Sequence, residues 1–185
     1  MKYFEKIPGE RLYLSPMSED DAEIYTKWLN DRAVSENLGQ YRTIISLSNE
    51  RSALSRLSSD GHNYAIVLRE GHELIGNISL MEHHPVNRRA TLGIFIGEAE
   101  RRGRGYGAEA IGLILRYGFD TLNLHNVMLQ LNSDNLPALA CYKKAGFREF
   151  GRRRESSYKD GRYVDTVYME ILEGEFRARD QRAAR

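Results

Sequence analysis

The chain has 185 residues, enough for one domain with its own core. Charged residues make up 29% of it, yet the net charge is only +1, a balance that argues against a general nucleic-acid binder. A lone cysteine, Cys141, excludes an intramolecular disulfide framework and fits a reducing compartment.

In chain order, "ERLYLSPM" alternates as a strand, with Leu12 and Leu14 on one face and Arg11 and Tyr13 on the other. Ser18 and Asp21 resemble a capping box, and Ala22, Ile24, Tyr25, Trp28 and Leu29 follow at helical spacing, predicting a helix over Asp20–Asn30. Trp28 is expected in the core, and Glu19, Asp20 and Asp21 complement the helix dipole or attract a cationic amine. "SNERSALSRLSSDG" predicts a second helix ending near Gly61, and "YAIVLRE" and "ELIGNISLMEHH" a hairpin. "RATLGIFIGE" predicts a further strand. "GAEAIGLILRYGFDTLNL" is an amphipathic helix with Gly118 at a close-packing point, and "HNVMLQLN" a short strand. "NLPALACYKKAGF" has Asn135 to cap a helix and Gly146 for the left-handed position after it. The last two strands turn at Asp160-Gly161, and Arg152, Arg153 and Arg154 are expected on a solvated edge. The order β-α-α-β-β-β-α-β-α-β-β, with one strand–helix–strand crossover, predicts an α+β fold with a mixed, mostly antiparallel sheet. A single domain is expected over residues 1–175, with a charged, frayed tail over 176–185. No apolar run approaches the ~18 residues of a membrane span, and the N-terminus lacks a signal peptide's apolar region, so a cytoplasmic setting and no membrane partner are expected.

Arg101 to Gly107, "RRGRGYG", packs three arginines and three glycines at the mouth of a helix. The first N–H groups of a helix lack internal partners and lie at the positive end of its dipole, so they attract phosphate. Glycine removes side chains that would keep an anion from the backbone. A solvated turn of glycine and arginine is the bland alternative. A Walker loop is absent. Gly103-x-Gly105-x-x-Ala108 fits the dinucleotide fingerprint, but not after the first strand of a parallel sheet, and Asp120 lies inside the helix rather than at a second strand's end, which disfavours an oxidoreductase.

These residues carry a resemblance. "RGRGYG" matches the Arg/Gln-x-x-Gly-x-Gly/Ala junction of the GNAT acyltransferases, and "NLPALACYKKAGF" matches their second motif, in the same order and on the same kinds of element. The blocks "GERLYLSPMSEDDAEIYTKWLND" and "LGIFIGEAERRGRGYGAEA" look like the branch of ribosomal-protein N-terminal and spermidine acetyltransferases. The resemblance implies an acyl-CoA N-acyltransferase that moves an acetyl group from acetyl-CoA to a primary amine without a metal. The acceptor would be a protein N-terminus, a polyamine or another small amine, and relatives of this kind are often homodimers.

Residue by residue, the resemblance places the diphosphate on the backbone of Gly103, Arg104, Gly105, Tyr106, Gly107 and Ala108, with Arg102 and Arg104 reaching phosphates. It places pantetheine along Ile94, Phe95 and Ile96, whose backbone would polarise the thioester carbonyl, and whose Ile94 and Ile96 side chains would be core. Asn135 caps its helix and touches the cofactor; the cap is the more ordinary role. Tyr142 faces the thioester sulfur as a proton donor, where helix spacing alone would make it core. Thr91 stands where many relatives have a glutamate base, so Glu82, His83 and His84 become candidates, Glu82 foremost. Cys141, beside Tyr142, reads as an ordinary buried cysteine. The missing carboxylate leaves a second reading, a non-catalytic CoA-binding regulatory or interaction module.

Overall fold

The computed structural model describes residues 2–39 and 41–183. Its strands are β1 (Ile7–Pro8), β2 (Leu12–Pro16), β3 (Asn63–Leu68), β4 (Leu74–His84), β5 (Arg89–Ile96), β6 (Asn126–Asn132), β7 (Arg148–Lys159) and β8 (Arg162–Leu172). Its helices are α1 (Ala22–Asn30), α2 (Arg32–Ser35), α3 (Leu47–Asp60), α4 (Tyr106–Asp120), α5 (Leu136–Ala145) and α6 (Glu173–Ala183). The eight strands form an open, mostly antiparallel sheet in the order β1-β2-β3-β4-β5-β6-β8-β7. The one parallel pair described, β5 with β6, is joined through α4, the crossover the sequence predicts. The fold is α+β, as expected.

By internal contact the chain falls into two compact units: residues up to Met81 with Gly93–Ile114, and Glu82–Leu92 with the chain from Leu115 onward.

In the first unit, Tyr13, Tyr25, Trp28, Leu54, Ala65, Val67 and Leu74 make one buried cluster from α1, α3 and the sheet. β2 is the strand the sequence predicts, and both of its faces are covered. Leu12, Tyr13, Leu14 and Ser15 are all buried, because Tyr13 joins that cluster while both leucines are fully enclosed. Ser18 caps Asp20 N in a 3₁₀ turn over Glu19–Asp21, and α1 begins only at Ala22. Asp21 is buried, accepts from the Tyr3 hydroxyl at 2.8 Å and pairs with Lys2 at 2.6 Å. It therefore anchors the N-terminal segment rather than waiting for an amine. α3 runs from the Ser46 cap to Gly61, whose φ of 80° is the left-handed stop the sequence predicts.

The end of β5 is fixed by aromatic packing. Phe95 meets Tyr25 and Trp28 edge-on, with centroids 6.1 and 6.0 Å away. A Cβ on Gly97 would lie 2.1 Å from the Trp28 ring, so only glycine lets the strand pass there. The Trp28 indole N–H donates to Glu98 at 2.9 Å, and Lys27 adds a bond at 3.1 Å. These two bonds, the indole's first, hold the Glu98 carboxyl below its ordinary range. Glu98→Ala leaves a buried N–H without an acceptor, which costs about 1–3 kcal/mol at neutral pH. A carboxyl with a depressed folded pKa gives stability that is present above its unfolded value, ~4.3, and lost as pH falls through the lower folded one. The gap in Tm between wild type and Glu98→Ala should therefore narrow as pH falls below about 4, by the charge-assisted part of these bonds. A gap unchanged between pH 7 and 3 would remove the carboxylate from this account.

In the second unit, β8 lies between β6 and β7 and pairs antiparallel with both. The β7–β8 hairpin turns through Asp160 and Gly161, with φ of 50° and 79°, the two left-handed residues a type I′ turn requires. Gly146 ends α5 at φ 106°. The expected frayed tail is instead helical as far as Ala183. Phe176 packs on Phe119 at 5.2 Å, Arg116 pairs with Asp180 at 2.7 Å and Arg177 with Asp120 at 2.9 Å. Those partners lie about 57 to 64 residues upstream, so no local pattern in the tail announces them. Ala184 and Arg185 lie outside the described residues.

Candidate functional site

In the first unit, Ile94–Ile96 and Arg102–Ala108 come together at the end of β5 and the start of α4. The ladder between β5 and β6 ends at Thr91–Met128. Phe95 O stands where a Cβ on Gly76 would lie only 2.1 Å away, and Gly97 N donates to Ile75 O at 2.8 Å. Residues 95 and 97 thus turn their backbone groups towards β4, and by the alternation of a strand those of Ile94 and Ile96 face the other way. This sorts the three candidates: Phe95 serves the sheet, and Ile94 and Ile96 offer backbone groups. Their side chains are half-buried, not the enclosed core the sequence suggests, since the strand end leaves them at the surface.

The Arg102 guanidinium turns back onto the strand it follows, donating to Ile96 O at 3.0 Å and Gly97 O at 2.8 Å. It braces the turn, which corrects the expectation that it projects towards a phosphate. Arg101 pairs with Glu73 through both guanidinium and carboxylate. Gly103 and Gly105 have φ of 71° and 85°, a region L side chains rarely adopt. Gly103, Arg104 and Gly105 are exposed, and a Cβ at Gly103 or Gly107 would meet open space. Glu109 N donates to Gly105 O at 3.1 Å, the first bond of α4, so the N–H groups of Tyr106, Gly107 and Ala108 precede the helical ladder. Exposed backbone without side chains, open N–H groups and a helix N-terminus together suit a diphosphate.

Sequence spacing misses Arg11, which lies 98 residues from Glu109 and nevertheless meets it. Arg11 Nε donates to Glu109 Oε2 at 2.8 Å, its NH1 to Arg104 O at 3.0 Å, and its guanidinium carbon lies 4.8 Å from the Tyr106 ring centroid. The bond between Trp28, which sits in the core as the sequence predicts, and Glu98 is missed for the same reason.

The second unit holds the other candidates. Tyr142 on α5 is buried, edge-on to Phe147 at 5.9 Å, and its hydroxyl has no hydrogen-bond partner among the described residues. Burial, then the neighbouring Cys141, pushes its phenol well above the ordinary tyrosine value. Cys141 is half-buried, and burial pushes its thiol up against a smaller opposing pull from Lys144. Asn135 Oδ1 accepts from Ala138 N at 3.3 Å, the capping role. Glu82 is exposed, holds φ 52°, and accepts at Oε2 from the Thr91 hydroxyl at 2.8 Å. Where the sequence puts a threonine in place of a carboxylate, the structure puts a carboxylate against that threonine. His84 Nδ1 accepts from Asn87 N at 3.0 Å and serves the turn. Among the described residues, no group of three or more histidine, cysteine or acidic side chains is placed to hold a metal.

Residues 11–148 match the model of the acetyltransferase (GNAT) domain, and the chain belongs to that family of N-acetyltransferases. It is 26% identical over 180 residues to an uncharacterized N-acetyltransferase, p20, of Bacillus licheniformis, covering 93% of this chain and 98% of that one. It is 34% identical over 108 residues to the spermidine N(1)-acetyltransferase of Vibrio cholerae, covering 58% of this chain and 62% of that protein. A crystal structure of spermidine N-acetyltransferase from Vibrio cholerae, in complex with CoA and spermine, superposes with a TM-score of 0.80 at 26% identity, over 90% of this chain and 98% of that one. No described helix is long and apolar enough to cross a membrane.

Proposed function

We propose that residues 1–175 act as one acyl-CoA N-acyltransferase domain that acetylates a primary amine, on a protein N-terminus, a polyamine or another small amine, in the cytoplasm. The observation that carries the reading is the exposed turn with left-handed Gly103 and Gly105, opening α4 directly after the braced end of β5. Acetyl-CoA supplies an activated acyl group as a thioester. N–H groups from Gly103 to Ala108 hold its diphosphate, with Arg104 beside them, and Asn135 completes the cofactor contacts while capping α5. Ile94 and Ile96 N–H groups donate towards the thioester carbonyl. The amine nitrogen bonds to the acyl carbon as the carbon–sulfur bond breaks. Glu82 takes the proton the amine releases, and Tyr142 returns one to the departing sulfur. The printed names of relatives that act on spermidine favour a polyamine among the acceptors.

Glu82→Gln keeps an acceptor for Thr91 but loses the base. At pH 7 we expect kcat/KM to fall about tenfold, short of the ~10²–10⁴ of general bases because water reaches an exposed site. The deficit should shrink as pH rises, because an alkylamine near its pKa of ~10.4 no longer needs a base. Equal rates for both forms across pH 7–10 would remove Glu82 from the mechanism.

Thr91 supports a second reading, a CoA-binding module without turnover. A thermal-shift series with acetyl-CoA, CoA and NAD, followed by thiol release over a panel of amines, separates the two. Acetyl-CoA should raise Tm and NAD should not; binding without thiol release from any amine would favour the module.

A further inference from the structure

We propose that Arg11 is a positioning residue for the diphosphate turn, and that it works by neutralising Glu109. This rests on the acyl-CoA reading above. Glu109 is in the first turn of α4, and its carboxylate accepts from Arg11 N at 2.8 Å, Leu12 N at 3.3 Å and Arg11 Nε at 2.8 Å. A carboxylate there suits the helix dipole but repels a diphosphate at the same N-terminus. Arg11 cancels that charge with a fork whose other arm holds Arg104 O at 3.0 Å, between the two left-handed glycines. One of its nitrogens lies 3.2 Å from where a Cβ on Gly105 would sit, and the guanidinium covers the Tyr106 ring. One side chain therefore sets the turn's backbone and removes the negative charge beside it. With Glu109 answering its charge, Arg11 acts through the turn rather than as a free cation for phosphate.

The two effects separate by mutation. In Arg11→Ala, Glu109 stands uncompensated; in Arg11→Ala with Glu109→Gln the repulsion goes and the backbone acceptor stays. By calorimetry with CoA, Arg11→Ala should weaken binding at least tenfold, and adding Glu109→Gln should recover threefold or more of that loss. If Arg11→Ala does not fold, Arg11→Lys, which keeps charge but not the fork, should weaken CoA binding by a smaller factor. In the folded variant, kcat/KM should fall with S-acetyl-CoA and change less than twofold with S-acetylpantetheine, which has no diphosphate; a general loss of structure would depress both. Wild-type affinity in the folded single variant, or a double variant as weak as the single, overturns the proposal. Wild-type protein that does not bind CoA overturns the acyl-CoA reading, and this inference with it.

Discussion

Replacing Tyr142 by phenylalanine should lower kcat by about 10²-fold or more, within the ~10²–10⁴ range typical of general acid catalysis, while CoA affinity holds. The change keeps the ring and its edge-on contact with Phe147. It removes a hydroxyl that has no hydrogen-bond partner among the described residues, so the fold loses no bond. A hydroxyl that makes no bond in the fold adds little to its stability, and Tm should stay level. Because burial raises the phenol's pKa, the proton stays on Tyr142 to a higher pH than in an exposed tyrosine, whose value is ~10. Turnover in wild type should then show no descending limb from this group below about pH 10. The same shift makes the phenol a weaker acid, which places the effect nearer the lower end of the range. Wild-type turnover in Tyr142→Phe would leave Tyr142 as core alone.

What the sequence makes legible is local. Asn135 and Gly146 bound α5, Gly61 stops α3, and Asp160-Gly161 turns the last hairpin, because caps and turns depend on residues a few positions apart. The glycine-rich turn is legible for the same reason. What escapes is set by distant partners. α6 forms because Phe119, Arg116 and Asp120 receive it, although its own residues are mostly polar. Tyr13 is buried because α1 and α3 cover its face of β2, a packing that strand alternation alone does not specify. Arg102 reads as a phosphate ligand, yet the carbonyls of Ile96 and Gly97 capture it. Glu82 and Thr91 lie nine residues apart on neighbouring strands, so their bond appears only once the strands are in register.

Gly105→Val should weaken acetyl-CoA binding by about 100-fold or more while lowering Tm by only a few degrees. Valine at φ 85° is strained by about 1–3 kcal/mol, and its branched Cβ meets Arg11 NH2 at 3.2 Å. Gly105 is exposed and lies outside the buried core, so the turn can relax to negative φ without disturbing the packing of α4. A loss of ~1 kcal/mol lowers the Tm of a 150–250-residue protein by roughly 2–4 °C. Binding has no such escape. Relaxation swings the N–H groups of Gly105 and Tyr106 away from their present direction and breaks the Arg11 bond to Arg104 O. A hydrogen bond to a charged group contributes about 1.5–3 kcal/mol, so losing two removes about 3–6 kcal/mol, at least a hundredfold in affinity. Calorimetry on the folded variant, with circular dichroism to follow the melt, decides the matter. Equal affinity would mean that the turn is only a connection between β5 and α4. A melt lowered by tens of degrees would mean that Gly105 serves the fold first.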